Sequence, residues 1–105
     1  MLFVETPVFS KELSGLLSDD EYHALQLALL LRPEQGKVIP KSGGLRKLRW
    51  KLEGRGKRGG ARVIYFWDKV AETVYMLLIY DKADQEDLTP SQLKILRSLV
   101  REGFR

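Results

Sequence analysis

Residues 45–52 read Leu-Arg-Lys-Leu-Arg-Trp-Lys-Leu and decide the fold, because apolar and basic side chains alternate along them. The apolar side chains are Leu48, Trp50 and Leu52, and the basic ones between them are Lys47, Arg49 and Lys51. A period of two is typical of a strand with one buried face. The stretch therefore predicts a strand whose open side carries a row of cations about 7 Å apart.

Two further strands are predicted after this one. Residues 62–67 are β-branched and aromatic, residues 68–71 form a turn, and residues 72–80 are again apolar. Together with the first strand, these two strands are predicted to form an antiparallel meander. If Arg49 lies opposite Arg62, then Arg62 shares the face of Lys47 and Lys51.

The chain before and after the meander is predicted to be mostly helical. A short strand at residues 2–5 precedes a helix that begins at Thr6-Pro7, and Ser18-Asp19-Asp20-Glu21 has the form of a capping box for a helix from 21 to about 31. Residues 37–39 have the composition of a short strand. Thr89-Pro90 caps a final helix to about residue 101.

This order, β-α-α-β-β-β-α, predicts one α+β domain over residues 1–105, with a mostly antiparallel sheet. Two N-terminal helices would pack on one face, and a C-terminal helix would follow the sheet. With the helices on one side, the other face of the sheet is left for function.

Charge is concentrated in the middle of the chain. Residues 41–62 hold nine of the eighteen Lys and Arg, six of the nine Gly and one acidic residue, Glu53. A phosphate-bearing polyanion suits such a segment, because neutralised phosphates release counterions and Gly permits close backbone approach. A solvated basic hairpin, with Lys blocking edge pairing, is the structural alternative.

Composition excludes several classes of site. The chain has no Cys and one His, so thiolate metal sites, disulfides and imidazole metal sites are not expected, nor is any cofactor. The longest apolar run is too short to span a bilayer and no signal-peptide pattern is present, which predicts a cytoplasmic protein.

RNA carries its own nucleophile, the 2′-hydroxyl, so a site of cations can align it and stabilise the phosphorane. Lys47 or Lys82, crowded by other cations, is a candidate base or acid, and an Arg would stabilise the transition state. The sequence leaves these two roles unassigned. Tyr80, at the end of the third strand of the meander, could stack on a base or be a half-buried strand aromatic.

The chain resembles toxins of the RelE/HigB type, in the RelE/ParE superfamily of bacterial toxin-antitoxin systems. The resemblance is carried by Phe3-Val4-Glu5-Thr6, Leu30-Leu31-Arg32-Pro33, Gly43-Gly44-Leu45-Arg46-Lys47-Leu48-Arg49, Gly56-Lys57-Arg58-Gly59-Gly60-Ala61-Arg62-Val63-Ile64-Tyr65, Ile79-Tyr80-Asp81-Lys82 and Asp87-Leu88-Thr89. It spans almost the whole chain.

The resemblance implies a metal-free endoribonuclease that cleaves mRNA in the A site of the 70S ribosome. It also implies a cognate antitoxin, often a HigA-like protein with a helix-turn-helix domain. Lys47, Arg49 and Arg62 match basic residues of the family's site. Where the family has a second arginine and a later tyrosine, this chain has Ala83 and Thr89, and we infer Lys82 and Tyr80 as substitutes.

The predicted site therefore has two parts. Its catalytic residues are Lys47, Arg49, Arg62 and Lys82. Its RNA-binding residues are Arg46, Lys51, Arg55, Lys57, Arg58 and Tyr80. Two other functions stay open at this point: inhibition of DNA gyrase, as in the ParE branch, and RNA binding without catalysis.

Overall fold

The computed structural model describes residues 1–52 and 60–104 and confirms the α+β prediction. The elements in chain order are β1 (Leu2–Glu5), α1 (Pro7–Leu16), α2 (Asp19–Leu31), β2 (Lys37–Val38), β3 (Arg46–Trp50), β4 (Ala61–Asp68), β5 (Thr73–Asp81) and α3 (Pro90–Glu102). Arg55, Lys57 and Arg58, predicted to bind RNA, lie outside the described residues. Among the described helices, none combines the length and the apolar character needed to cross a membrane.

The helices begin where the capping patterns predict. The Thr6 hydroxyl accepts a hydrogen bond from Phe9 N–H at 3.1 Å and donates one to the Leu77 carbonyl at 2.8 Å. Reciprocal capping boxes start α2 at Ser18 and α3 at Thr89. These bonds satisfy N–H groups that have no partner within a helix, and the Thr6 pair also fixes α1 to the sheet.

The five strands form one sheet in the order β1-β5-β4-β3-β2. β1 runs parallel to β5, and the other neighbouring pairs are antiparallel. The register of β3 against β4 places Arg49 opposite Arg62, which is the pairing that was assumed from the sequence. The short strand β2 adds an edge that the predicted order of seven elements did not count.

The first face of the sheet packs on α1 and α2. Phe9 and Leu17 of the α1 region join Leu25 and Leu29 of α2, and these side chains are 6% exposed or less. On the sheet side they meet Val63, Tyr65, Val74 and Met76, with Leu48 and Trp50 at the margin. Leu52 is 2% exposed, and Leu48 and Trp50 are partly buried, so the apolar side of the quoted stretch faces this core as predicted.

The prediction that all helices lie on one face is wrong. α3 packs on the second face, where Leu96 joins a buried cluster with Leu45, Ile64, Leu77 and Leu78. The amphipathic α3 has its own apolar side to bury, and the first face is already covered by α1 and α2. The second face is thus shared between α3 and an uncovered end that carries Arg49 and Arg62.

A β-bulge in β5 decides which face Tyr80 occupies. Tyr65 pairs with Met76 but Ile64 pairs with Leu78, so Leu77 is an extra residue on β5. Without the bulge, strict alternation would put Tyr80 on the first face with Met76. With it, Tyr80 lies opposite Arg62 and packs in the cluster under α3.

Substitution of Gly36 tests the packing between the chain after α2 and the core. A Cβ at Gly36 would lie 2.7 Å from both Cε1 and Oη of Tyr65, whose side chain is fully buried. We expect Gly36→Ala to lower the free energy of unfolding by about 1–3 kcal/mol, because the ring cannot move without opening the core. Urea denaturation followed by circular dichroism measures the change.

Gly15→Ala is the matched control. Nothing lies within 4 Å of a Cβ at this helical position, so the substitution should raise stability by up to about 1 kcal/mol. Equal stability losses in the two variants would contradict the packing described for Tyr65.

Candidate active site

Four basic and two acidic side chains line an open cleft of about 430 Å³ on the uncovered end of the second face. They are Lys47, Arg49, Arg62, Lys82, Glu86 and Asp87. All four residues predicted to be catalytic therefore lie in one place. Strands β3 and β4 supply Lys47, Arg49 and Arg62. The segment after β5 supplies Lys82, Glu86 and Asp87.

Backbone pairing holds the cations together. Arg49 and Arg62 are directly opposed across β3 and β4, and Lys47 lies two residues before Arg49 on the same side. Lys82 follows β5, where its N–H donates to the Gly60 carbonyl at 3.0 Å. That bond ties the start of the β5–α3 connection to the start of β4.

The two arginines differ in exposure. Arg49 is exposed, whereas Arg62 is only 7% exposed, and its Nη1 makes one long contact of 3.4 Å with the Ala61 carbonyl. A guanidinium stays charged in proteins, and charges interact more strongly where water is partly excluded. Arg62 is therefore a buried basic residue at the inner part of the cleft.

The carboxylates of Glu86 and Asp87 were missed by sequence reasoning. Lys47 Nζ lies 3.4 Å from Asp87 Oδ1, and the same oxygen accepts a hydrogen bond from Leu88 N–H at 2.8 Å. The side chains of this ion pair are 30% and 68% exposed, so the pair contributes at most about 1 kcal/mol. An incoming anion can compete with Asp87 for Lys47.

Arg46 does not belong to the cleft, which corrects its prediction as an RNA-binding residue. Side chains along β3 alternate between the two faces of the sheet, so Arg46 lies on the first face with Leu48. Its Nη1 donates to the carbonyls of Glu34 and Gly36, both at 2.9 Å, and its Nη2 lies 3.9 Å from Glu34 Oε2. Arg46 holds the chain that follows α2.

The stacking role predicted for Tyr80 also disagrees with its position. Tyr80 is only 7% exposed and packs with apolar residues under α3, which leaves little of the side chain for a base to stack on. Burial raises the pKa of its hydroxyl, Asp87 raises that pKa further, and Arg62 lowers it.

Lys51 is exposed just beyond the end of β3 and does not line the cleft.

Over residues 1–52 and 60–104, no cluster of three or more His, Asp or Glu side chains is arranged to hold a metal ion. The cleft presents a set of hydrogen-bond donors on basic side chains. Such a set can bind the oxygens of a phosphodiester and stabilise extra negative charge on them.

Asp87→Asn tests whether Asp87 occupies an anion position. The substitution removes a negative charge from the cleft and frees Lys47, while an amide oxygen can still accept from Leu88 N–H. We expect affinity for short single-stranded RNA at low salt to rise roughly two- to tenfold. Fluorescence anisotropy measures the affinity.

Asp84→Asn makes the same change of net charge on the same connection, at a residue outside the basic cleft. Its effect on affinity should be smaller. If both variants gain affinity equally, the gain comes from net charge alone and Asp87 has no special position.

Comparison with known proteins bears on the fold. No protein-family model matches the chain. Among solved structures, the chain is similar to the Escherichia coli toxin RelE, solved in the free state with two arginines replaced by alanine. The TM-score is 0.57 at 15% sequence identity, over 81% of this chain and 86% of that chain. The fold is therefore RelE-like.

Proposed function

We propose that this chain is the toxin of a type II toxin-antitoxin module, acting as a ribosome-dependent mRNA endoribonuclease. The observation that carries the proposal is the convergence of Lys47, Arg49, Arg62 and Lys82 on one open cleft. The RelE-like fold supports it, since the solved neighbour is itself a toxin.

The proposed reaction uses the hydroxyl of the RNA as the nucleophile. The 2′-oxygen attacks the adjacent phosphorus, its proton passes to a base, and the bond from phosphorus to the 5′-oxygen breaks. The leaving oxygen takes up a proton, which gives a 2′,3′-cyclic phosphate and a free 5′-hydroxyl. No metal or cofactor enters this scheme.

The cleft residues suit this reaction. Arg62, which is buried, would stabilise the charge on the phosphorane, and Arg49 would hold the phosphate from the opposite strand. Lys47 and Lys82 are the candidates for proton transfer at the attacking and leaving oxygens. Which of them is the acid and which the base stays open.

The proposed partners follow from the function. The 70S ribosome would present mRNA to the cleft, and the site of action would be the cytoplasm. A cognate antitoxin, of the HigA-like helix-turn-helix kind, would neutralise the toxin. Lys51, with Arg55, Lys57 and Arg58 in the glycine-rich loop, would add contacts to message or ribosome.

Arg62→Ala tests the proposal in a reconstituted translation system. We expect wild-type protein to cut mRNA at particular codons and the variant to lose at least about a hundredfold in cleavage rate, because a transition-state charge loses its main donor. Primer extension maps the cuts, and the cut ends should carry 2′,3′-cyclic phosphate.

Arg32→Ala is the matched control, since Arg32 is an exposed arginine at the end of α2, an element that packs on the first face. It should cleave like wild type. Intact mRNA together with trapped DNA breaks on gyrase would instead support a ParE-like inhibitor. RNA binding without cleavage under any ribosome condition would support a binding module.

A further inference from the structure

One buried side-chain polar atom has no hydrogen-bond partner in the described part of the chain, and it is the hydroxyl of Tyr80. Buried polar groups are nearly always paired, and leaving one unpaired costs free energy. Such an exception calls for a physical explanation. The position of Tyr80 offers one, because its cross-strand partner, Arg62, lines the cleft.

Tyr80 is close to residues of the cleft but does not line it; it lines a separate pocket between α1 and the β5–α3 connection. Tyr80 is the cross-strand partner of Arg62, and both residues are 7% exposed on the second face. The charges of Arg62 and Asp87 both act on the pKa of the phenol. Because burial and Asp87 raise that pKa, the hydroxyl keeps its proton near neutral pH and is a donor.

Tyr65, on the same sheet, shows what a structural tyrosine looks like in this protein. Its hydroxyl donates to the Pro33 carbonyl and accepts from Gly36 N–H, each at 2.8 Å. Both hydrogen-bonding functions are used, and both partners are backbone groups of the chain after α2. Within residues 1–52 and 60–104, the Tyr80 hydroxyl has no equivalent partner.

We propose that the Tyr80 hydroxyl is a binding group of the cleft that donates a hydrogen bond to a phosphate oxygen of bound RNA. The RNA phosphate would displace Asp87 from Lys47. Leu88, the residue after Asp87, packs on the cluster that holds Tyr80. The hydroxyl is buried in the structure, so on this proposal a shift of the segment around Asp87 and Leu88 would have to open it to the phosphate. The inference rests on the proposed function insofar as RNA is the ligand.

The proposal separates the stability effect of Tyr80→Phe from its effect on binding. The substitution removes an unpaired buried hydroxyl, so the unfolding midpoint should stay the same or rise. It also removes a donor to a charged oxygen, so affinity for RNA should fall about tenfold or more. A merely structural role would not produce this combination.

Tyr65→Phe is the matched control and should behave in the opposite way. It removes two satisfied hydrogen bonds, so the unfolding midpoint should fall while RNA affinity of the folded protein is retained. Both variants and the wild type are titrated with a short RNA that carries 2′-O-methyl groups throughout. This probe cannot be cleaved by attack of its own hydroxyl.

An unchanged RNA affinity of Tyr80→Phe would overturn the inference, and a lowered unfolding midpoint beside it would assign the hydroxyl a structural partner such as water. A wild-type chain that does not bind the probe would overturn it as well, whatever reconstituted translation shows. The nuclease proposal can fail separately. If RNA is never cleaved but its binding depends on Tyr80, the nuclease proposal is wrong and the binding role of Tyr80 stands.

Discussion

The register of β3 against β4 is the constraint on which the site depends. It places Arg49 opposite Arg62, although like charges directly opposed across a sheet are destabilising. Partial burial of Leu48 and Trp50 against the first-face core favours that register, because a slip by one residue would turn them to the second face. The packing of one face thus holds together two cations that repel each other on the other face.

The second face both packs against α3 and carries the open cleft. α3 buries its apolar side there, against Leu45 and Ile64, yet it leaves the end of the sheet with Arg49 open. The bulge at Leu77 turns Tyr80 towards that end, and the β5–α3 connection brings Asp87 within reach of Lys47. Each of these features adds a polar group to the border of the cleft.

Local signals in the sequence predicted much of this arrangement. Thr6, Ser18 and Thr89 predicted the starts of their helices, because capping is a contact between residues close in sequence. The alternation around Trp50 predicted both the strand and the side that faces the core. An antiparallel meander was predicted, but the register that opposes Arg49 to Arg62 was only assumed, and the structure shows it.

The errors concern contacts between distant parts of the chain. The face chosen by α3 depends on which surface the other helices have already covered, and the bulge depends on the fit of β5 to β4. The role of Arg46 also depends on distant contacts, because the carbonyls of Glu34 and Gly36 that it binds approach it only in the folded protein. Asp87 belongs to the site for a similar reason, as its polar segment is brought over β3 by the docking of α3.

The salt dependence of RNA binding tests most directly the claim that these cations act as one phosphate-binding surface. With Lys47, Arg49, Arg62 and Lys82 each neutralising a phosphate, the logarithm of the association constant should fall against the logarithm of salt concentration with a slope of about −2 to −3. Lys47→Ala or Arg49→Ala should make that slope shallower by about 0.7. A flat salt response, or slopes that do not change in these variants, would contradict the account.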